Sequence, residues 1–314
     1  MLCVAGNRAR AAIIRSQRIT GLTSEVNAEL VAEVGPLWHE RHQAGLASRP
    51  RRRAVGAGAK HRLVFVDRLL ATLVSLRHGA THNVLACWFG VDRSTITRAI
   101  GEVRPLLAER GCTVAPGLRL RTLTEVIDHL GADGLTGIID GTEVRVRRPA
   151  AGRKDREKFI SGKNKQNAVK SMVVTDSKGR LLFCSPAEPA SCAAITHARK
   201  LGLVKLLADG PAVEILADAG YQGLGAQTGG RVVTPPHRKF KKNPPEWYEE
   251  MHEHQRKAHS SRRIRVEHGI GHLKNWRALA RHHGRREHMS DIVQAVAGLL
   301  SHQQTATMYR DARM

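Results

Sequence analysis

The sequence predicts a mixed α/β protein: a mixed sheet flanked by helices, preceded by an all-helical segment. Three observations lead there. Apolar residues recur at helical spacing between 61 and 110, short β-rich runs and a hairpin signature occupy 137–184, and helical patterns dominate after 193 with two further strand runs among them. Strands first and helices after suit a sheet with helices packed on its faces.

Residues 1–60 close on SRPRRRAVGAGAK, where Arg49, Arg51, Arg52 and Arg53 precede Gly56 and Gly58. The segment reads as a basic arm and linker, either solvated or laid on a nucleic-acid backbone. In 61–110, Leu63, Val66, Leu69, Leu70, Leu73, Val74 and Leu76 mark one amphipathic helix to about His78. THNVLACWFG forms a second, with Thr81 as its cap and Gly90 as its stop. VDRSTITRAIGEVRPLLAER forms a third, capped by Asp92 or Ser94. A short helix, a glycine turn and a helix opening on Arg93, Ser94, Thr95, Thr97 and Arg98 make a helix-turn-helix pattern. Those side chains suit base edges and phosphates in a major groove; a bundle used only for packing is the bland alternative.

Residues 111–135 read as a linker, and strands begin after it. GIID, 137–140, is an apolar run ending on an acid, and GTEVRVRRP alternates with Val144 and Val146 on one face. AVKSMVVTDSKGRLLFCSP is a hairpin turning at Asp176-Ser177-Lys178-Gly179. A helix follows over 193–208, then a buried strand, AVEILAD, ending on Asp218. RVVTPP is another strand, 246–283 is helical and rich in His and Arg, and SDIVQAVAGLLSHQQ closes the core.

Composition narrows the partners. Lys and Arg number 51 against 28 Asp and Glu, a net charge of +23, which draws polyanions, nucleic acid above all. No run approaches the ~18 apolar residues of a spanning helix, and Arg8, Arg10 and Arg15 interrupt any secretory leader. Five widely spaced cysteines with no CxxC pair argue against a zinc ribbon or disulfide frame and suit a reducing cytoplasm.

Two acids end apolar strand runs: Asp140 after Ile138-Ile139, Asp218 after Leu216-Ala217. A carboxylate at a strand's carboxyl end projects toward the rim where open α/β sheets put their sites. Gly141 and Ala219-Gly220 follow, small enough for a phosphate backbone to approach. Adjacent carboxylates repel unless they share a cation, and magnesium prefers carboxylates, water and phosphate oxygens. In SSRRIRVEHGIGHLKNWRAL, Glu267 and Lys274 are seven apart and share one helix face with Gly271 and Ala278. Glu267 then completes the site while Arg263, Lys274 and Arg277 neutralise phosphates. Each acid taken alone is equally a turn or surface residue. His268 and His272, four apart, offer a zinc pair in principle, but without HExxH and in so basic a stretch they read as phosphate-facing.

The blocks IIDGT (138–142), SGKNKQNAVKSMVVTDSKGRLL (161–182), ADAGYQG (217–223) and SRRIRVEHGIGHLKNWRAL (261–279) resemble the IS5-type insertion-sequence transposases of the DDE superfamily, relatives of the Harbinger nucleases. The helical segment before them resembles the one that precedes the core in that family, so the likeness spans about 60–305. It implies an RNase H-like catalytic domain over 136–305, a helix-turn-helix domain over 61–110 and a short tail, 306–314. Asp140, Asp218 and Glu267 match the family's catalytic, metal-holding acids, for two Mg²⁺ or Mn²⁺ ions. Lys163 and Lys165 join Lys274 and Arg277 as expected DNA contacts. The expected partners are duplex DNA, at transposon ends and target, and further copies of the chain. The expected compartment is a bacterial cytoplasm, at the nucleoid when bound. Family members often carry an acid before the helix that follows the hairpin, in a His-Asp-like step; here that region reads AITHAR, with Thr196 and His197 and no acid. A nuclease without strand transfer, or a DNA-binding protein that no longer cuts, fits the same residues.

Overall fold

A computed structural model describes residues 7–48, 62–152, 154–238 and 244–312. The chain opens with helices α1 (Asn7–Ile14), α2 (Gln17–Thr20) and α3 (Ser24–Ala47). Thr23 caps α3 by accepting from the Val26 N–H, and Leu22, Val26, Leu30 and Val34 are fully buried. A basic arm was the expectation for this stretch. The described part is instead a packed helix, because Val26, Leu30 and Val34 recur every four residues among polar neighbours that mask the stripe. The Arg49–Arg53 run lies outside the described residues, as does Cys3.

The next three helices follow the sequence pattern: α4 (Phe65–His78), α5 (His82–Phe89) and α6 (Arg93–Glu109). Gly79 and Gly90, both left-handed, end α4 and α5. The Thr81 hydroxyl accepts from Val84 N–H, whereas Asp92 occupies the α6 cap position without a side-chain bond. The expected linker is ordered. Strands β1 (Cys112–Ala115) and β2 (Leu118–Leu120) form a small hairpin, and α7 (Leu123–Ala132) starts from a capping box of Thr122 and Glu125.

The sheet then assembles from β3 (Gly137–Arg145), β4 (Ala168–Asp176), β5 (Leu181–Cys184) and β6 (Glu188–Pro189). Asp176 makes the hairpin turn by accepting from the Lys178 and Arg180 N–H groups, with Gly179 left-handed. Helices α8 (Ala194–Lys200) and α9 (Leu203–Asp209) replace the single expected helix, broken at left-handed Gly202. Strand β7 (Ile215–Leu216), helix α10 (Leu224–Gln227) and strand β8 (Val232–Val233) follow. The expected helix over 246–283 stops earlier, as α11 (Glu246–Lys274), then α12 (Arg277–Ala280). The last helix, α13 (Met289–Asp311), runs through most of the expected tail.

The sheet order is β5-β4-β3-β7-β8, with β6 beside β4. Strands β3, β4 and β5 are antiparallel in turn, while β7 and β8 run parallel to β3. This is the RNase H-like arrangement. One face, with Ile138, Val144, Val173 and Leu216, lies under α11 and α13 and shares a continuous core with α3 to α6. The other, with Ile139, Met172, Val174 and Ile215, lies under α7, α8 and α9. The helix-turn-helix is therefore not a separate body on a linker: α13 packs on α6 on one side and on β1 and β5 on the other. Of the described cysteines, Cys112 and Cys184 are core residues while Cys87 is exposed.

Gly269 explains how closely α11 sits. A Cβ there would stand 3.1 Å from Thr175 Cγ2 and 3.4 Å from the Gly179 carbonyl oxygen, whereas at Gly271 it would meet nothing. Gly271→Ala should therefore raise unfolding free energy by about 1 kcal/mol, the helix-propensity difference. Gly269→Ala should lower it, because buried Thr175 and a backbone carbonyl have nowhere to move. Urea unfolding of the two variants checks the opposite signs.

Candidate active site

Asp140 is the fourth residue of β3, not its last as the apolar run suggested; the strand continues to Arg145. Strands β3 and β7 pair in parallel with Ile138 opposite Leu216. Strand β7 ends at Leu216, and continuing its register by two residues brings Asp218 to the side of Asp140, where its charge acts on that carboxyl. Ile138 and Leu216 both belong to the core under α11, and side chains two apart in a strand share a face. Both carboxylates therefore leave the sheet on the side that α11 crosses.

On α11, Arg263 and Glu267 are four apart and lie on one side of the helix. Val266, Gly269 and Leu273 are buried and hold the helix to β3 and β4. Arg263 Nη2 donates to Asp140 Oδ2 at 3.1 Å, with both side chains largely buried. Sequence reading had assigned Arg263 to phosphates; here it neutralises an acid, because burial of Asp140 demands a counter-charge. The Arg263 Nε is buried without a hydrogen-bond partner among the described residues.

Backbone donors hold the aspartates. Asp140 Oδ1 accepts from Gly141 N–H at 2.6 Å, and Asp218 Oδ1 from Gly220 N–H at 2.9 Å, capping the turn Ala219–Tyr221. Burial pushes the Asp140 carboxyl above the ordinary range; Arg263 opposes this, while the like charges of Asp218 and Glu267 add to it. Tyr221, fully buried, has its hydroxyl pushed up by burial and then by Asp140 and Asp218. A Cβ at Gly220 would stand 3.0 Å from Asp218 Oδ1, so that glycine makes room for the carboxylate itself.

Asp218 and Glu267 both act electrostatically on Asp140. Among the described residues, however, no three His, Cys, Asp or Glu side chains are close enough to hold an ion together. The donor chemistry still suits a hard divalent cation. The oxygens are carboxylate, Arg263 is the cation set against the repulsion at Asp140, and Glu267 is open to solvent, where water and phosphate oxygens would complete a magnesium shell.

The remaining candidates are dispersed. Arg93, Ser94, Thr97 and Arg98 are exposed along the start of α6 and Thr95 is half-buried. The Thr97 hydroxyl is engaged internally, bonding Arg93 O and His82 Nδ1. Lys163 and Lys165 are exposed on the β3–β4 connection, and Lys274 is exposed at the end of α11. Arg277 starts α12, its Cβ near Gly79 at the end of α4. Ala278 does not extend the open face of α11, since the helix ends before it and the residue is buried. His268 and His272 are exposed and join no metal cluster. His259, one of the histidines of the basic stretch with His252, His254, His268 and His272, is instead a structural residue: it is buried on α11 and bonds the carbonyl of Ala217 at 2.9 Å, tying the helix to the residue before Asp218. Its distance from Val266 along the helix was the only available signal.

Residues 139–301 match the family described as DDE superfamily endonuclease, and residues 61–113 match the helix-turn-helix of DDE superfamily endonuclease. A Streptomyces albus G protein bearing the name of a transposase for insertion sequence element IS112 is 28% identical over 233 residues, 72% of this chain and 75% of its own. A Microchaete diplosiphon protein named for a transposase of element IS702 is 22% identical over 53% of this chain and 56% of its own. The solved Mos1 strand transfer complex aligns over 87% of this chain and 98% of its own, at 11% identity and a TM-score of 0.18. That superposition is too loose to bear on the site. No described helix is long and apolar enough to cross a membrane.

The raised Asp140 carboxyl gives a signed expectation. Below the ordinary carboxylate range, near pH ~4, folded and unfolded chains both hold its proton. As pH climbs through the raised folded value, ionised Asp140 weighs against the folded state. Asp140→Asn should thus melt at a higher temperature than wild type near neutral pH without divalent cations, with the gain disappearing in acid. Calorimetry across pH measures this; a variant that is less stable at neutral pH contradicts it.

Proposed function

The chain belongs to the DDE superfamily endonucleases, with that superfamily's helix-turn-helix ahead of the core, and we propose that it is the transposase of an IS5-type insertion sequence. In this reading α6 docks in the major groove of the element's terminal repeats, with Ser94, Thr95 and Thr97 toward base edges and Arg93 and Arg98 toward phosphates. Lys163, Lys165, Lys274 and Arg277 hold flanking backbone, and two or more copies bring both ends and the target together.

Asp140, Asp218 and Glu267 would hold Mg²⁺ or Mn²⁺. When bound, two such ions supply Lewis acidity at the scissile phosphate and a water acidic enough to attack at neutral pH. The chain's own part is placement. Strands β3 and β7 fix two carboxylates side by side, α11 sets the third across from them, and the Gly141 and Gly220 N–H groups orient the aspartates. Arg263 neutralises Asp140 and would lie beside the phosphate of a bound DNA strand. The observation that carries the reading is the parallel register of β3 and β7 beneath a helix bearing Glu267.

The test is nicking of supercoiled plasmid carrying the element's ends, with magnesium. Asp140→Asn, Asp218→Asn and Glu267→Gln should each fall to background while still binding DNA. Wild-type nicking by all three would end the proposal, and DNA binding without any product from wild type would favour a silent binding protein. Joining of a pre-cut end to a target separates a transposase from a simple nuclease. For α6, Arg93→Ala and Arg98→Ala should each flatten the slope of log affinity against log salt by about 0.9, one phosphate contact apiece.

A further inference from the structure

Three residues past Asp140, Glu143 projects from the opposite face of β3, and its side chain is only 15% exposed. The Ser161 hydroxyl lies within hydrogen-bonding distance of both carboxylate oxygens, 2.9 and 2.8 Å away, and Asn164 Nδ2 donates to Oε2 at 3.0 Å. Lys170, its cross-strand partner on β4, stands 3.6 Å away and also donates to the Cys192 carbonyl. Ser161 is fully buried, and its hydroxyl oxygen accepts from the Lys163 and Asn164 N–H groups.

These bonds close a tight loop. Lys165 N–H donates to Ser161 O, Ser161 N–H to Gln166 O, and Ile160 bridges Asn167. Inside it Lys165 takes a φ of +51°, a left-handed conformation that a side chain with a Cβ disfavours. Such backbones persist only where surrounding bonds over-determine them, often at ligand clamps. Gly162, Lys163, Asn164 and Lys165 are nonetheless all exposed. The loop therefore has a buried polar root and a cationic tip. It stands beside the carboxyl end of β3, where the Val146 N–H donates to the Asn167 carbonyl and Arg145 pairs with Ala168, and β7 runs toward Asp218 in the same direction as β3.

We infer that Glu143 is a positioning residue: through Ser161 and Asn164 it roots a loop whose Lys163 and Lys165 clamp a DNA phosphate backbone lying across the carboxyl ends of β3 and β7. The inference rests on the DNA-processing reading above. A carboxylate on a surface that meets polyanions is otherwise repulsive; here its charge is turned inward and spent on Ser161, Asn164 and Lys170. Without Glu143 the lysines remain but lose their fixed direction.

The full-length chain, bound to duplex DNA and followed by fluorescence anisotropy across salt without divalent cations, tests this. Lys163→Ala with Lys165→Ala should flatten the salt slope by about 1.8, two contacts of about 0.9 each. Glu143→Ala should flatten it comparably with both lysines present, and should add nothing when combined with the lysine pair. Glu143→Gln, which keeps an acceptor for Ser161, should recover part of the slope. Ser161→Ala serves as the second variant should Glu143→Ala fail to fold, and should also speed tryptic cutting at Lys163 and Lys165. A Glu143→Ala or Ser161→Ala protein that melts lower yet keeps the wild-type slope overturns the inference, since the residue then only stabilises the fold. An unchanged slope in the lysine pair overturns it too, while leaving magnesium-dependent nicking, and with it the transposase reading, untouched. Wild-type protein that binds no DNA refutes both.

Discussion

A buried aspartate on a sheet face that feels two further carboxylates is an arrangement that electrostatics opposes, and rigid neighbours sustain it. Burial raises the cost of ionising Asp140, and Asp218 and Glu267 raise it further. The opposing forces come from rigid parts: the β3–β7 register, backbone N–H donors on each aspartate, and the Arg263 guanidinium. Helix α11 cannot drift away from this repulsion. Gly269 lets it lie against Thr175, Val266 and Leu273 anchor its apolar side, and His259 bonds the strand that ends before Asp218.

The same economy joins the helix-turn-helix to the core. Helix α13 is shared: it closes the sheet on one side and supports α6 on the other. Helix α3 adds a polar brace. Glu33 receives Arg110 and Arg119, and Glu29 meets His302 on α13. Trp38 and Arg68 both donate to Glu102 on α6. A helix-turn-helix held this way is fixed in orientation relative to the sheet, because a continuous close-packed core has little freedom to swivel.

Reading along the chain was most successful where one local rule decided the outcome. The end of α4 near His78, the Thr81 cap and Gly90 stop of α5, and the hairpin at Asp176–Gly179 rest on short-range signals that survive without partners. It was least successful where burial came from far away. The stripe Val26, Leu30, Val34 is interleaved with Asn27, Glu29 and Glu33, and only contact with α4 and α6 turns that segment into core. The stretch 111–135 carried a legible capping box at Thr122 and Glu125, which the expectation of a linker passed over. Gly202 and the break before Trp276 end helices whose apolar periodicity runs on past them.

What the sequence alone determined was the set of chemical parts and their local geometry: basic surplus, helix-turn-helix spacing, and acids beside β-rich runs and in one helix. Periodicity and capping are properties of neighbouring residues, so they are written locally. What only the tertiary structure decided was which parts meet. Strand register places Asp218 beside Asp140, helix packing gives Arg263 to Asp140, and the fold of the β3–β4 connection turns Glu143 inward to Ser161. Those pairings span from 18 to 123 residues of chain, and no local propensity carries over that distance; they form only when burying both sheet faces leaves a single way to close the core.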